Sequence, residues 1–130
     1  MTVVADANVA IAALNPRDAF HDQALRVCLE AGDVAVLNLT WAEALIHPTR
    51  LGQYDAAARE LKRLGFRIEV VSHEFADKAR ELRAVYGNKN FPMVDAIVVA
   101  FGVATGWPVV TCDSKWPAMA EARIKNLRTS

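Results

Sequence analysis

Four carboxylates in this chain are spaced as metal-assisted chemistry on a phosphate ester would require. Asp6 directly follows the apolar run Val3-Val4-Ala5, and Asp113 directly follows Val109-Val110-Thr111. If the two runs are parallel strands, both acids emerge at one edge of a sheet, with Asn8 and Thr111 beside them as neutral groups able to orient a carboxylate or a water. Glu43 and Asp95 fall in the first turns of two helical segments, and helix starts reach the same edge. Their surroundings, Trp41-Ala42-Glu43-Ala44-Leu45 and Met93-Val94-Asp95-Ala96-Ile97, are apolar enough to make an uncompensated charge expensive.

Taken singly, each acid has a structural role open to it. Thr40-Trp41-Ala42-Glu43 fits a capping box, Asp95 can complement a helix dipole, and Asp6 and Asp113 can bond the backbone of their own turns. Caps alone would be scattered, whereas these four converge. Two carboxylates ~4–5 Å apart repel by roughly 3–4 kcal/mol at an effective dielectric of about 20, a large fraction of the ~5–15 kcal/mol that holds a domain together. The expected compensator is a divalent cation. An all-oxygen set suits Mg²⁺ or Mn²⁺; zinc would recruit His or Cys, and no contiguous calcium loop is present. Such ions most often serve phosphate chemistry, neutralising the ester and lowering the pKa of a bound water.

The elements that must position these groups alternate. Strands are expected at Val3–Ala5, Val34–Leu37, Ile68–Val71 and Val109–Thr111, with a further edge strand at Ile124–Leu127. Helices are expected from Val9 to Leu14, through Phe20, Ala24, Val27 and Ala31 to a stop at Gly32-Asp33, and from Thr40 to Ile46 with Pro48 as terminator. Two more run through Ala57, Leu61 and Leu64 to Gly65, and through Phe75, Ala79, Leu82 and Tyr86 to Gly87. Residues 93–105 are the ambiguous stretch. Val98, Val99 and Val103 favour a strand, but the length and a preceding Pro92 favour an almost wholly apolar central helix. The fold class is therefore α/β, a mostly parallel sheet of four to five strands covered by helices, in a single domain over residues 1–130.

Composition agrees with a packed globular domain. The 130 residues are 53% hydrophobic, which excludes intrinsic disorder, and no heptads or blocks of like charge appear. Fifteen basic side chains balance fifteen acidic ones, which argues against an indiscriminate phosphate-gripping module. Cys28 and Cys112 read as reduced packing residues, and His21, His47 and His73 are evenly spaced without self-similar flanks. The N-terminus lacks a basic region before its apolar run, and the longest apolar run, Ala96–Ala104, is about half a bilayer span. The default expectation is a cytoplasmic protein that does not enter membranes.

Val4-Ala5-Asp6-Ala7-Asn8, Glu43 in an apolar helix, Phe91-Pro92-Met93-Val94-Asp95-Ala96, and Val110-Thr111-Cys112-Asp113 with Trp116 together resemble the PIN-domain ribonucleases, specifically the VapC-type toxins of bacterial toxin–antitoxin systems. The resemblance covers nearly the whole chain in order. It implies a Mg²⁺- or Mn²⁺-dependent endoribonuclease that acts on RNA, forms a homodimer and is restrained by a cognate antitoxin protein. Position by position, Asp6, Glu43, Asp95 and Asp113 match the acidic catalytic and metal-binding positions, and Asn8 and Thr111 the supporting polar ones. Trp116 stands where the family usually has Phe, and Cys112 where a basic or polar residue is common; neither is expected to touch the acids. Ser114-Lys115 replaces an extra Asp found in some relatives, which puts a second metal ion in doubt. Arg50, Lys89 and Lys115 are read as solvated surface residues. Competing readings are a non-cutting PIN-like scaffold that binds RNA or protein, a haloacid-dehalogenase-type phosphatase and a phosphate receiver. Asn8 removes the second acid the phosphatase needs, and a single acid at the first strand lacks the pair a receiver needs.

Overall fold

The computed structural model describes residues 1–129. Five strands form one sheet in the order β3-β2-β1-β4-β5, every neighbouring pair parallel: β1 (Val3–Ala5), β2 (Val34–Leu37), β3 (Phe66–Glu69), β4 (Val109–Thr111) and β5 (Ile124–Asn126). Seven helices connect and cover them: α1 (Ala7–Leu14), α2 (His21–Ala31), α3 (Asn38–Ala44), α4 (Ile46–Arg50), α5 (Tyr54–Arg63), α6 (His73–Tyr86) and α7 (Met93–Thr105). A single 3₁₀ turn, Leu127–Thr129, follows β5. None of the helices is long and apolar enough to cross a membrane among the described residues.

The two-residue alternation of the strands separates the core into two halves. Val3, Ala5, Val34, Val36 and Val110 face the side covered by α1, α2, α3 and α5; Val4, Ala35, Leu37 and Val109 face α6 and α7. Burial on both faces explains why these strands read as continuous apolar runs. The ambiguous stretch is the helix α7. From Ala96 to Gly102 it is buried at every position, and Gly102 lets it lie against β4: a Cβ there would come within 2.4 Å of Val109 Cγ2 and 3.2 Å of the Trp107 carbonyl oxygen.

Several boundaries differ from expectation, each for a local reason. The third strand is Phe66–Glu69, not Ile68–Val71, because it pairs residue for residue with Val34–Leu37 and ends where β2 ends. Val70, beyond that end, is 70% exposed. Gly65, at φ +96°, turns the chain from α5 directly into this strand; a Cβ there would sit 2.9 Å from the Gly32 carbonyl oxygen. Helix α3 starts at Asn38 rather than Thr40, so the capping box does not form, and Thr40 is buried inside the helix. Pro48 does not stop the chain's helical course but lies in the first turn of α4, after a break at Leu45. Its missing N–H has no helical partner to lose there. Pro92 is the cap residue just outside α7 rather than its first residue. Strand β5 ends at Asn126, and Leu127 turns inward to become buried.

Candidate active site

All strands being parallel, the ends of β1 and β4 lie side by side, and Asp6 and Asp113 leave the sheet at one edge. Asp6 is 5% exposed and caps α1, its Oδ1 accepting the Ala7 amide at 2.8 Å. Its Oδ2 accepts the Thr111 hydroxyl at 2.9 Å. Thr111 is wholly buried, and its oxygen in turn accepts the Asp113 amide at 3.0 Å and the Asn8 Nδ2 group at 3.4 Å. Asn8 Oδ1 accepts the Cys112 amide at 3.0 Å. Asp6, Asn8, Thr111 and the Asp113 backbone thus form one network that locks the first loop of the sheet to the fourth. The turn reading of Asp113 also holds: its Oδ1 accepts the Lys115 amide at 2.7 Å. Structural duty and chemical placement coexist in the same residues.

Asp95 comes to this edge from the first turn of α7, half-buried. Its Oδ2 accepts the Trp116 indole N–H at 3.0 Å, and Trp116 stacks edge-on against Phe91 with ring centres 5.9 Å apart. The expectation that Trp116 stays clear of the acids is therefore corrected. An indole donates a hydrogen bond that the Phe usual at this position cannot. The loop before Asp95 is fastened by Arg83, whose Nε donates to the Phe91 carbonyl at 2.7 Å and whose Nη2 donates to the Asn88 carbonyl at 3.2 Å. The Cys112 thiol lies within the field of Asp18 and Asp6, whose charges add to burial in raising its pKa. It and Cys28 are free and buried, and burial pushes both thiols up to about 11.

The electrostatics single out Asp95. Burial raises its carboxyl pKa most, the Trp116 bond works against this, and the charges of Asp113 and Glu43 raise it further. Asp6 is pushed up to about 6, first by burial and then by the charge of Asp95, with the bonds from Thr111 and Ala7 opposing and Glu43 adding a smaller repulsion. Asp95 thus feels or exerts repulsion with each of the other three acids. Glu43 is exposed on α3, contrary to the apolar surroundings expected of it, because its side chain faces out from a helix whose opposite face carries Trp41 and Ala44. It reaches the site through its charge alone. Among the described residues, none of the four carboxylates is ion-paired with Lys or Arg. One turn before Glu43, the buried Thr40 hydroxyl also has no partner.

A family model described as PIN domain matches residues 3–122. The chain belongs to the PIN domain family. No curated protein matches its sequence significantly. Among solved structures, this PIN domain is similar to a toxin–antitoxin complex from Klebsiella pneumoniae, with a TM-score of 0.77 at 22% identity over 96% of this chain and 97% of that one. It is similar to VapBC2 from Rickettsia felis, bound to a DNA fragment from its promoter, with a TM-score of 0.73 at 16% identity over 97% and 98% of the two chains. A third is VapC20 of Mycobacterium tuberculosis, described as a sarcin–ricin loop cleaving toxin, with a TM-score of 0.66 at 22% identity over 82% and 86%. At these identities the likeness is one of fold. Family membership removes the phosphatase and receiver readings.

Among the described residues, no three His, Cys, Asp or Glu side chains are grouped so that they could hold one ion together. For this PIN domain that is compatible with magnesium, which keeps several of its waters and is typically bound through one or two carboxylates. The donor set fits such an ion: oxygen only, mutually repelling and without a protein cation. Two recesses flank the acids. One, of about 510 Å³, is bounded by Asn8 and Asp113; the other, of about 660 Å³ between α1, α3, α4 and α5, has Glu43 on its wall. Lys115 lines the first and Arg50 the second, both of them exposed, as expected of solvated surface residues.

Proposed function

We propose that this PIN domain is a Mg²⁺- or Mn²⁺-dependent endoribonuclease and the toxin of a type II toxin–antitoxin pair. The observation that carries the reading is the repulsion that Asp95 shares with Asp6, Glu43 and Asp113 while no Lys or Arg among the described residues pairs with any of them. Asp6 and Asp95 are the principal metal ligands in this proposal, with Asp113 and Glu43 acting directly or through bound waters. The bound ion supplies charge neutralisation at the phosphate and a water of lowered pKa. The chain's own part is positioning. Thr111 and the Ala7 amide hold the Asp6 carboxylate, Asn8 ties the β1 loop to the β4 loop, and Trp116 orients Asp95. Cleavage leaves 5′-phosphate and 3′-hydroxyl ends, following the family's chemistry.

The partners belong to the same proposal: a cognate antitoxin, as in the solved complexes of similar fold, a second copy of the chain, and RNA as the substrate, VapC20 being described as a sarcin–ricin loop cleaving toxin. The cytoplasm is where these would meet. Incubating the protein with total RNA, with Mn²⁺ or with excess chelator, and mapping the new ends tests the reading. Cleavage is expected only with the metal and is abolished by Asp6→Asn or Asp95→Asn. Full activity in chelator, or in either variant, overturns it. A non-cutting scaffold would also lack a three-carboxylate cluster, and none forms among the described residues; RNA bound but left whole in Mn²⁺ would establish that alternative.

A further inference from the structure

The 510 Å³ recess beside Asp113 contains chemistry that phosphate cleavage itself does not use. Its walls include Phe20, on the turn before α2, and Lys115 and Arg128, which follow β4 and β5. Arg128 is exposed, yet it is held at both ends of its head group: Nε donates to the Cys112 carbonyl, and the guanidinium lies 4.9 Å from the centre of the half-buried Phe20 ring. A stacked guanidinium fixed by a backbone carbonyl has lost much of the freedom that makes a surface arginine an indifferent binder. The acids of the recess are partly committed elsewhere. Asp18 Oδ1 accepts the Phe20 amide at 2.9 Å, and Asp113 Oδ1 accepts the Lys115 amide. Among the described residues neither Lys115 nor Arg128 is in an ion pair.

We infer that this recess seats a nucleotide of single-stranded RNA next to the scissile phosphate, its base on the Phe20–Arg128 stack and its backbone phosphate against Arg128 and Lys115. The inference rests on the proposed ribonuclease reading. Three features favour this occupant. The volume lies within the roughly 300–1,000 Å³ of small-ligand sites and suits one splayed nucleotide rather than a duplex. An aromatic ring layered with a guanidinium is a platform for any base, and the adjoining cations match a phosphate. The recess reaches the acidic edge at Asp113, with Asn8 beside it, so a chain threading it passes that carboxylate.

Fluorescence anisotropy of a labelled single-stranded RNA of mixed sequence, titrated across a salt series, tests this in the full-length Asp95→Asn background, which is expected not to cut. Arg128→Ala is expected to weaken binding about tenfold and to lower the slope of log affinity against log salt by about 0.7, the loss of one phosphate contact on a single strand. Phe20→Leu is expected to weaken binding between about fivefold and a hundredfold with the slope unchanged, as for a lost stack. Arg128→Lys, which keeps the charge, restores the slope and controls for folding, and Lys78→Ala on α6 changes neither quantity. An unchanged slope and affinity in Arg128→Ala overturns the inference, as does selective loss of binding to an acidic peptide with RNA binding intact. A protein that cuts RNA but shows no Arg128 dependence refutes only the subsite. One that binds RNA through Arg128 but never cuts refutes only catalysis.

Discussion

Asp6→Asn should stabilise the metal-free protein at neutral pH, and by an amount that depends on pH in a defined direction. The Asp6 carboxyl, 5% exposed, is raised from the ordinary 3.8 to about 6 in the folded protein. The folded state therefore holds a proton that the unfolded chain has already released, and stability falls as pH rises from below 3.8 through about 6. At about 1.4 kcal/mol for each tenfold change in proton affinity, the full cost of the charge above that window is about 3 kcal/mol. Asn carries no charge and remains a good helix cap, so the Ala7 bond survives. What it cannot do is accept from Thr111 with its nitrogen, and losing a hydrogen bond to a buried carboxylate costs roughly 1.5–3 kcal/mol. At pH 8 the two effects leave a net gain of about 1 kcal/mol or less. The robust quantity is the change with pH, from which that fixed cost cancels. Urea titrations in excess chelator should show the variant's stability relative to the parent improving by about 2.5 kcal/mol between pH 4 and pH 8, the first part of the full cost having already accrued by pH 4. A difference that stays constant over this range would refute the assignment of a strained, charged Asp6 to the metal-free fold.

Three further changes probe the supports of the site. Trp116→Phe removes the donor to Asp95 Oδ2 while keeping a ring near Phe91; losing a bond that favours the carboxylate raises the Asp95 pKa further, so the acid limb of the cleavage–pH profile should move to higher pH, with a stability loss of about 1 kcal/mol in denaturant titration. Thr40→Val exchanges a buried, partnerless hydroxyl for a methyl group of similar shape, and calorimetry should record a gain of about 1 kcal/mol, a rise of several degrees in Tm. Gly102→Ala places a methyl group 2.4 Å from Val109 Cγ2, and the overpacking should destabilise by about 1–3 kcal/mol despite the better helix propensity of Ala; adding Val109→Ala should recover part of that loss.

Continuous apolar runs are the part of this fold most legible in sequence. Val3–Ala5, Val34–Leu37 and Val109–Thr111 are buried on both faces, so nearly every residue reports the strand, and α7 reports itself by a length no strand of this sheet needs. Where an element is half-exposed, its ends are decided by its neighbour. Phe66–Glu69 stops because Leu37, its last partner, stops, and the β-branched Val70 and Val71 that suggest a longer strand have no strand residue opposite them. Helix α3 begins two residues before Thr40 because Asn38 turns the chain immediately after β2, its Oδ1 accepting the Leu39 and Val71 amides. Among the site residues, the convergence of Asp6, Asn8, Thr111 and Asp113 follows from strand parallelism alone. The contact of Trp116 with Asp95 and the reach of Arg128 back to Cys112 depend on loop paths after β4 and β5, and no periodicity encodes those.

Zero net charge takes on a different meaning once the acids are located. Setting Asp6, Glu43, Asp95 and Asp113 aside leaves 11 acids against 15 bases, so the rest of the chain carries a charge of +4. Arg50 lines one recess and Lys115 and Arg128 the other, and none of the three takes part in the ion pairs among the described residues, which are made by Arg63, Arg67, Lys78 and Arg80. A polyanion approaching this edge meets Lys115 and Arg128 beside Asp18 and Asp113 in one recess, Arg50 beside Glu43 and Glu60 in the other, and repulsion from the remaining acids of the edge. A divalent ion on the acidic floor would change the sign of the central field and make the three regions continuous. Metal then acts on affinity as well as on chemistry: RNA should bind the protein more tightly with the ion than without it. In Asp6→Asn and Asp95→Asn variants part of that gain should appear without metal, because each removes one of the charges the ion would mask.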